Sequence, residues 1–304
     1  MPGADVGLVA ALVSAAAFGT SGPFAKALLL TGWSSGAIVL LRVGLATAIL
    51  ALPALWACRG RWGMLRAEAR LILIYGLVAV AGCQVAYFNA VQRLTVGVAL
   101  LLEYCGILLV VLWIWVRSRQ APTRLTWLGV VIALLGLALV LDITGQVRLD
   151  PVGVLWGLLA AVGLAAFFVA AANQGSRLPP VVLAAFGMGT GTVALAALGA
   201  VGLLPMRFSA ADVVVAGRSV SWWVPILEVS VIAAAAAYLL GTFAARRLGS
   251  TVASFVGLAE VLFAVLFAWL LLGELPRPVQ LLGGVLIVAG VVAVRAGELR
   301  APRG

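Results

Sequence analysis

The sequence predicts an all-α integral membrane protein with ten transmembrane helices arranged as two inverted five-helix repeats. Three observations support this. Of the 304 residues, 64% are hydrophobic and 10% are charged, and the mean hydropathy is +1.21, a composition typical of membrane-embedded chains. The apolar residues form ten segments joined by short polar linkers, and the second half of the chain repeats the first.

Each apolar segment has about 20 residues, enough to cross a bilayer core of about 30 Å as a helix. The segments cover residues 7–30, 34–57, 70–91, 95–116, 124–142, 152–173, 181–203, 222–244, 248–272 and 279–295. Only the linker 204–221 is long enough to fold over an opening. The chain lacks the basic start of a cleaved signal peptide, so we expect the first segment to be retained.

The internal repeat becomes visible when the chain is shifted by 154 positions, which places Arg93 on Arg247 and Pro122 on Pro276. The same shift matches Leu94 with Leu248, Val98 with Val252, Ala99 with Ala253, Leu128 with Leu282, Gly129 with Gly283 and Gly136 with Gly290. Apolar matches alone could arise from composition, but the Arg, Pro and Gly matches are harder to obtain by chance. We therefore predict two repeats, at residues 1–147 and 148–304.

The linkers carry the arginines unevenly, and this predicts the orientation in the membrane. With the N-terminus inside, thirteen linker and C-terminal arginines lie on the inner face, and the outer five are Arg93, Arg148, Arg207, Arg218 and Arg277. An excess of Arg in cytoplasmic linkers is the positive-inside pattern. Because each repeat has five segments, the second enters the membrane in the opposite sense, the arrangement that transporters use for alternating access around a midplane site.

Five charged residues fall inside the apolar segments: Lys26, Arg42, Glu103, Glu228 and Glu260. An ionisable side chain within a bilayer is costly unless it is paired or lines a wet cavity, so each is a functional hypothesis. The shift of 154 places Glu103 against Gly257, one helical turn before Glu260, so both repeats carry an acid at nearly the same position.

Two interpretations remain open for the cations. Arg42 either pairs with Glu103 or Glu228 to hold two helices together or binds a substrate carboxylate, and Lys26 either extends towards the interface or faces the cavity. Uncharged polar residues also lie at membrane depth. The complete set of substrate and coupling candidates is Glu103, Glu260, Glu228, Arg42, Lys26, Gln84, Tyr87, Asn89, Tyr104 and Tyr238.

The sequence argues against several classes of protein. The chain has no His, which excludes His metal sites, Ser-His triads and His proton relays. Cys58, Cys83 and Cys105 lack metal-ligand spacing and are interpreted as packing residues. The net charge of +10 comes from arginines between apolar segments, which does not indicate nucleic-acid binding. We therefore expect no enzyme activity, cofactor or metal.

The sequence resembles the EamA repeat of the drug/metabolite transporter superfamily. In the second half the resemblance lies in ASFVGLAEVLFAVLFAWLLLGE at 253–274, and in the first half in AFGTSGPFAK at 17–26, LLRVGLA at 40–46 and TVGVALLLEYCGILLVVLW at 95–113. The family often has Pro just after the acidic position of each repeat. Here Tyr104 and Val261 stand there, so no residue typical of a helix break follows either acid.

This resemblance implies a secondary transporter with a central cavity that exports a small polar metabolite or an amino acid. The alternatives are a membrane receptor or scaffold without a transport cycle, and a passive channel. The expected partners are a small-molecule substrate and the lipid bilayer, with protons as the candidate coupling ion. We expect a monomer or homodimer in the inner membrane, with both termini cytoplasmic.

Overall fold

Long α-helices account for most of the structure, a computed structural model that describes residues 2–94, 96–142, 150–273 and 275–300. The long helices are α1 (Pro2–Leu30), α2 (Ser35–Cys58), α3 (Ala69–Val91), α4 (Gly97–Ser118), α5 (Arg124–Val140), α6 (Pro151–Ala171), α7 (Pro180–Ala200), α8 (Trp223–Leu248), α9 (Ser250–Leu271) and α10 (Pro278–Arg300). A single helical turn at Gly63–Ala67 precedes α3, and an antiparallel hairpin, β1 (Val213–Val215) and β2 (Arg218–Val220), lies between α7 and α8.

Within the described ranges, nine helices are long and apolar enough to cross a membrane, and α5 is shorter, at 17 residues. The prediction of membrane-spanning helices is therefore confirmed for nine of the ten segments. The N-terminus of α5 is fixed by Thr123, whose hydroxyl accepts a hydrogen bond from the Thr126 N–H at 3.1 Å. The helix ends at Val140 because Leu141 forms a turn and Asp142 takes a left-handed conformation, with φ of 47°.

Two helices are interrupted beside their acidic residues. In α4 the regular helix stops at Tyr104 and resumes at Gly106, and in α9 it stops at Gly257 and resumes at Ala259. At each break the backbone forms an i→i−3 hydrogen bond, from Cys105 to Leu102 and from Leu258 to Phe255, both at 3.1 Å. The breaks form without the proline of the family pattern. By contrast, α1 continues without interruption through Gly22 and Pro23.

The third helix of each predicted repeat contains a stretch of π-helix. These stretches are Ile74–Gly82 in α3 and Val231–Ala236 in α8. A shift of 154 positions carries residues 74–82 onto 228–236, so the two stretches lie at matching places. Such bulges are rare and occur frequently at functional sites.

A close helix crossing joins α5 to α10 through four glycines. A Cβ atom added to Gly129 would lie 2.7 Å from the Gly290 carbonyl oxygen, and one added to Gly136 would lie 2.6 Å from that of Gly283. The contacts are mutual, since a Cβ on Gly283 would lie 2.5 Å from the Gly136 oxygen. Only glycine permits this approach of two backbones, and the crossing is antiparallel.

Each half of the chain packs its first helix against the other half. In α1, a Cβ on Gly7 would lie 2.9 Å from Cβ of Arg247, at the end of α8. In α6, a Cβ on Gly153 would lie 2.9 Å from Cβ of Arg93, near the end of α3. The first helix of each half therefore packs against the third helix of the other half.

Asp150 forms a well-defined start to α6. One of its carboxylate oxygens accepts hydrogen bonds from the backbone N–H groups of Val152 at 2.7 Å and Gly153 at 3.2 Å, and the other lies 3.4 Å from the Arg93 guanidinium. The backbone donors, together with Arg93, hold the pKa of Asp150 below its usual range. This ion pair ties the start of α6 to the end of α3.

The linkers meet at two opposite ends of the helix bundle. At one end, the Glu68 carboxylate accepts hydrogen bonds from the Ser176 hydroxyl and the Arg177 N–H, so the linkers before α3 and α7 are joined. At the other end, the linker 204–221 covers the ends of α1 and α2. There the Ser34 hydroxyl donates to the Pro205 carbonyl at 2.7 Å, and Val213 of the hairpin is fully buried.

Candidate functional site

A cavity of about 690 Å³ lies within the bundle, between helices of both halves. Its wall contains eight of the ten predicted site residues: Lys26, Arg42, Gln84, Tyr87, Glu103, Tyr104, Tyr238 and Glu260. The remaining walls are mostly apolar and include Phe18, Phe167 and Phe168. A mainly apolar cleft of this volume with a few convergent polar groups is typical of a small-molecule site.

Glu103 and Glu260 both line the cavity, and each lies two residues from a helix interruption. The Cys83 thiol donates to a Glu103 carboxylate oxygen at 3.3 Å, and the Tyr104 phenol lies close enough to the Glu260 carboxylate to interact with it. The two carboxylates are close enough to interact electrostatically. Each repeat therefore contributes one acid to a shared, partly buried site.

Arg42 reaches the same cavity from α2. Its Nη2 donates to the Ala233 carbonyl oxygen at 2.7 Å, and its Nε is buried without a hydrogen-bond partner in the described part of the chain. The guanidinium carbon lies 5.9 Å from the centre of the Phe18 ring. The guanidinium also acts electrostatically on Glu103, Glu228 and Glu260.

The predicted ion pair between Arg42 and Glu103 or Glu228 is not formed among the described residues, where no carboxylate oxygen lies within 4.0 Å of the guanidinium. The π stretch of α8 supplies the physical reason. In a regular α-helix the Ala237 N–H would bond to the Ala233 carbonyl, but here it bonds to those of Ala234 and Ile232. The Ala233 carbonyl accepts a hydrogen bond from the Arg42 guanidinium instead.

Two predicted site residues lie outside the cavity wall. A Glu228 oxygen is 2.5 Å from the Thr20 hydroxyl, and its other oxygen is buried without a hydrogen-bond partner among the residues described. The Asn89 amide donates to the Val85 carbonyl one turn earlier, at 2.8 Å. Lys26 does line the cavity, but it is an exposed residue near the end of α1.

Cys83 and Ser14 are site residues that the sequence analysis did not select. Cys83 was interpreted as a packing residue, but it lines the cavity and donates to Glu103. A signal was present, because Cys83 and Tyr87 are four residues apart and share one helix face. Ser14 lines the cavity from α1 and donates to the Ala237 carbonyl at 2.7 Å.

The two ends of the cavity differ. It extends to Leu29, Ser35 and Val91, at the ends of α1 and α3 and the start of α2. At the opposite end of the bundle, Arg246 joins the end of α8 to the linker before α7. Its Nη1 donates to the Leu178 carbonyl at 3.0 Å, and its own carbonyl accepts from Gln174 at 2.6 Å.

Comparison with known proteins identifies the family of this chain. The EamA-like transporter family matches it twice, over residues 5–142 and 151–296. The chain belongs to this family. The resemblance in the sequence is thereby confirmed, and the EamA-like family is one of transporters rather than enzymes.

Comparisons with individual proteins extend this result. The threonine/homoserine exporter RhtA of Escherichia coli K12 is 28% identical over 229 residues, covering 74% of this chain and 71% of the relative. The RhtA of Escherichia coli O157:H7 gives the same values. A protein of known crystal structure shares the fold with a TM-score of 0.75 at 20% identity, covering 96% of this chain and 99% of that chain.

Proposed function

We propose that this EamA protein is a secondary active exporter of small polar metabolites, amino acids in particular, and that it works by alternating access. The observation that carries the proposal is the cavity, which brings Arg42, Glu103 and Glu260 together from both halves of the chain. Charged groups within a membrane that face a cavity mark substrate and ion pathways. The relative named a threonine/homoserine exporter favours an amino acid as cargo.

The packing of α5 against α10 supports an inverted repeat of two five-helix halves, 1–147 and 148–304. The shift of 154 residues carries Gly129 to Gly283 and Gly136 to Gly290. The contact of Gly129 with Gly290 then becomes the contact of Gly283 with Gly136, which the crossing also contains. Equivalent helices that cross antiparallel are related by an axis in the membrane plane. This favours α5, despite its length, as a tenth crossing.

The proposed orientation places both termini in the cytoplasm and the protein in the inner membrane, as the arginine distribution predicts. The end tied by Glu68 and Arg246 is then the inner end, and the cavity opens outward. In the other state of the cycle we expect the inner contacts to separate and the outer ends of α1 to α3 to close.

Cysteine labelling tests the orientation. With Cys58, Cys83 and Cys105 replaced by Ser, Ala210→Cys in the outer linker is expected to react with an impermeant maleimide in right-side-out membrane vesicles. Arg61→Cys, equally exposed at the proposed inner end, is expected to react only after the vesicles are permeabilised. The opposite pattern would contradict the orientation and would reverse the direction in which the cavity opens.

Substrate counterflow in proteoliposomes tests the transport function. Vesicles loaded with unlabelled threonine or homoserine are expected to take up the labelled amino acid transiently, with saturation, and empty vesicles are not. Flux without saturation or counterflow would favour a channel. No flux of any amino acid, sugar or cationic compound would favour a receptor or scaffold.

A further inference from the structure

The guanidinium of Arg42 has hydrogen-bonding capacity that the protein does not use. Arginine carries five N–H donors in a planar fork, and the contact with Ala233 occupies one nitrogen. The Nε atom is buried without a partner in the described residues, and the side chain lines the cavity. A planar donor set directed at a cavity fits a carboxylate, which it can bind through two parallel hydrogen bonds.

The Glu103 carboxylate, in turn, has few hydrogen-bond donors around it. An ionised carboxylate only accepts hydrogen bonds, and the partner of Glu103 is the Cys83 thiol, a weak donor at 3.3 Å. Glu260 differs, because the Tyr104 phenol, a stronger donor than a thiol, lies beside its carboxylate. An ammonium group with three donors would satisfy the free acceptors of Glu103.

We propose that the cavity binds the zwitterionic head of a free α-amino acid in one orientation, with its carboxylate on Arg42 and its ammonium group on Glu103. The inference rests on the proposed transport function and specifies its substrate class. Within the wall of the cavity, Arg42 and Lys26 balance Glu103 and Glu260 in formal charge, so a ligand carrying one charge of each sign leaves that balance unchanged. A ligand that lacks either charge leaves Arg42 or Glu103 without its partner.

Arg42 is favoured over Lys26 as the carboxylate site for two reasons. Arg42 lies two helical turns beyond Ser35, where the cavity meets the start of α2, whereas Lys26 is exposed near the end of α1. The planar guanidinium also matches both carboxylate oxygens, and the Lys ammonium is a point charge.

The experiment measures binding of three probes to the purified full-length protein: L-threonine, L-threonine methyl ester and N-acetyl-L-threonine. The ester lacks the carboxylate charge and the acetylated compound lacks the ammonium charge. We expect wild-type protein to bind threonine at least tenfold more tightly than either analogue. In the Arg42→Gln protein, the affinity for threonine is expected to fall to that for the ester. The affinity for the ester itself is expected to change less than threefold.

Glu103→Gln is expected to give the reciprocal pattern, in which threonine is no longer preferred over N-acetyl-threonine but is still preferred over the ester. If Arg42 or Glu103 had a purely structural role, its substitution would weaken the binding of all three probes together. The pattern of affinities therefore separates recognition of the ligand from stability of the protein. Arg93→Gln is the matched control, because Arg93 is paired with Asp150 outside the cavity. If Arg42→Gln does not fold, Arg42→Lys is expected to keep part of the preference over the ester.

Full discrimination between threonine and its ester in folded Arg42→Gln would overturn the proposal, as would loss of that discrimination in Lys26→Gln instead. Failure of this inference can be distinguished from failure of the transport function. Counterflow of amines or organic acids but not of free amino acids would refute the zwitterion site and leave a transporter. Absence of counterflow for every compound would refute both.

Discussion

The Glu260→Gln protein is expected to exchange substrate across the membrane but to lose uphill transport driven by a pH gradient. Glu260 lies in the cavity beside the break in α9, with the Tyr104 phenol near its carboxylate. A carboxyl group in a low-dielectric site can gain and release a proton as its surroundings change, and no His is present to take that role. Glutamine resembles the protonated acid but cannot release the proton.

Other charged or titratable side chains line the same cavity as Glu260, and Asp142 and Arg277 line an adjoining cleft with it. Those in the cavity are Lys26, Arg42, Cys83, Tyr87, Glu103, Tyr104 and Tyr238. We expect Glu103→Gln to impair amino-acid binding rather than coupling, which separates the roles of the two acids. Proteoliposomes with an imposed pH gradient measure accumulation, and counterflow in the same preparation measures exchange. Undiminished accumulation by Glu260→Gln with an unchanged pH profile would make Glu260 a structural residue.

Gly283→Ala is expected to destabilise the protein strongly at the crossing of α5 and α10. The added Cβ would lie 2.5 Å from the Gly136 carbonyl oxygen and 2.7 Å from the Val140 backbone nitrogen, so the two helices have to move apart. Overpacking of this kind costs about 1–3 kcal/mol. We expect a lower melting temperature and a smaller yield of monodisperse protein by size-exclusion chromatography in detergent.

The neighbouring glycine provides the matched control. A Cβ on Gly284 would meet only the flexible Leu262 side chain, at 3.3 Å. The melting temperature of the Gly284→Ala protein is therefore expected to be close to that of the wild type. Gly136→Ala, on the facing helix, is expected to match Gly283→Ala, since its Cβ would lie 2.6 Å from the Gly283 oxygen. Equal melting temperatures for Gly283→Ala and Gly284→Ala would show that this contact does not limit stability.

The membrane helices and most of the cavity could be predicted because both depend on patterns within single segments. Hydropathy locates the helices, and the cost of charge within a bilayer selects Arg42, Glu103 and Glu260. Of the two predicted site residues that do not line the cavity, Glu228 and Asn89, helix periodicity explains the position of Asn89. Gln84, Tyr87 and Val91 share a face with spacing i, i+3 and i+7, and Asn89 lies off that face.

The partner of Arg42 could not be predicted, because it depends on the hydrogen-bonding register of another helix. The sequence around Ala233 is a run of alanines with no residue typical of a π-bulge, so the π stretch depends on packing between helices. The breaks at Cys105 and Leu258 likewise form without proline. Charge alone favoured an ion pair for Arg42, and the carbonyl released by the bulge accepts its hydrogen bond instead.

Pulsed electron paramagnetic resonance between two pairs of spin labels tests alternating access most directly. One pair, at Leu30 and Gln92, spans the proposed outer opening, and the other, at Gly175 and Arg247, spans the proposed inner closure. We predict reciprocal changes when the amino acid and the pH are varied, with the outer distance shortening as the inner distance lengthens. Distances that stay fixed, or that lengthen together, under conditions that support counterflow would contradict alternating access.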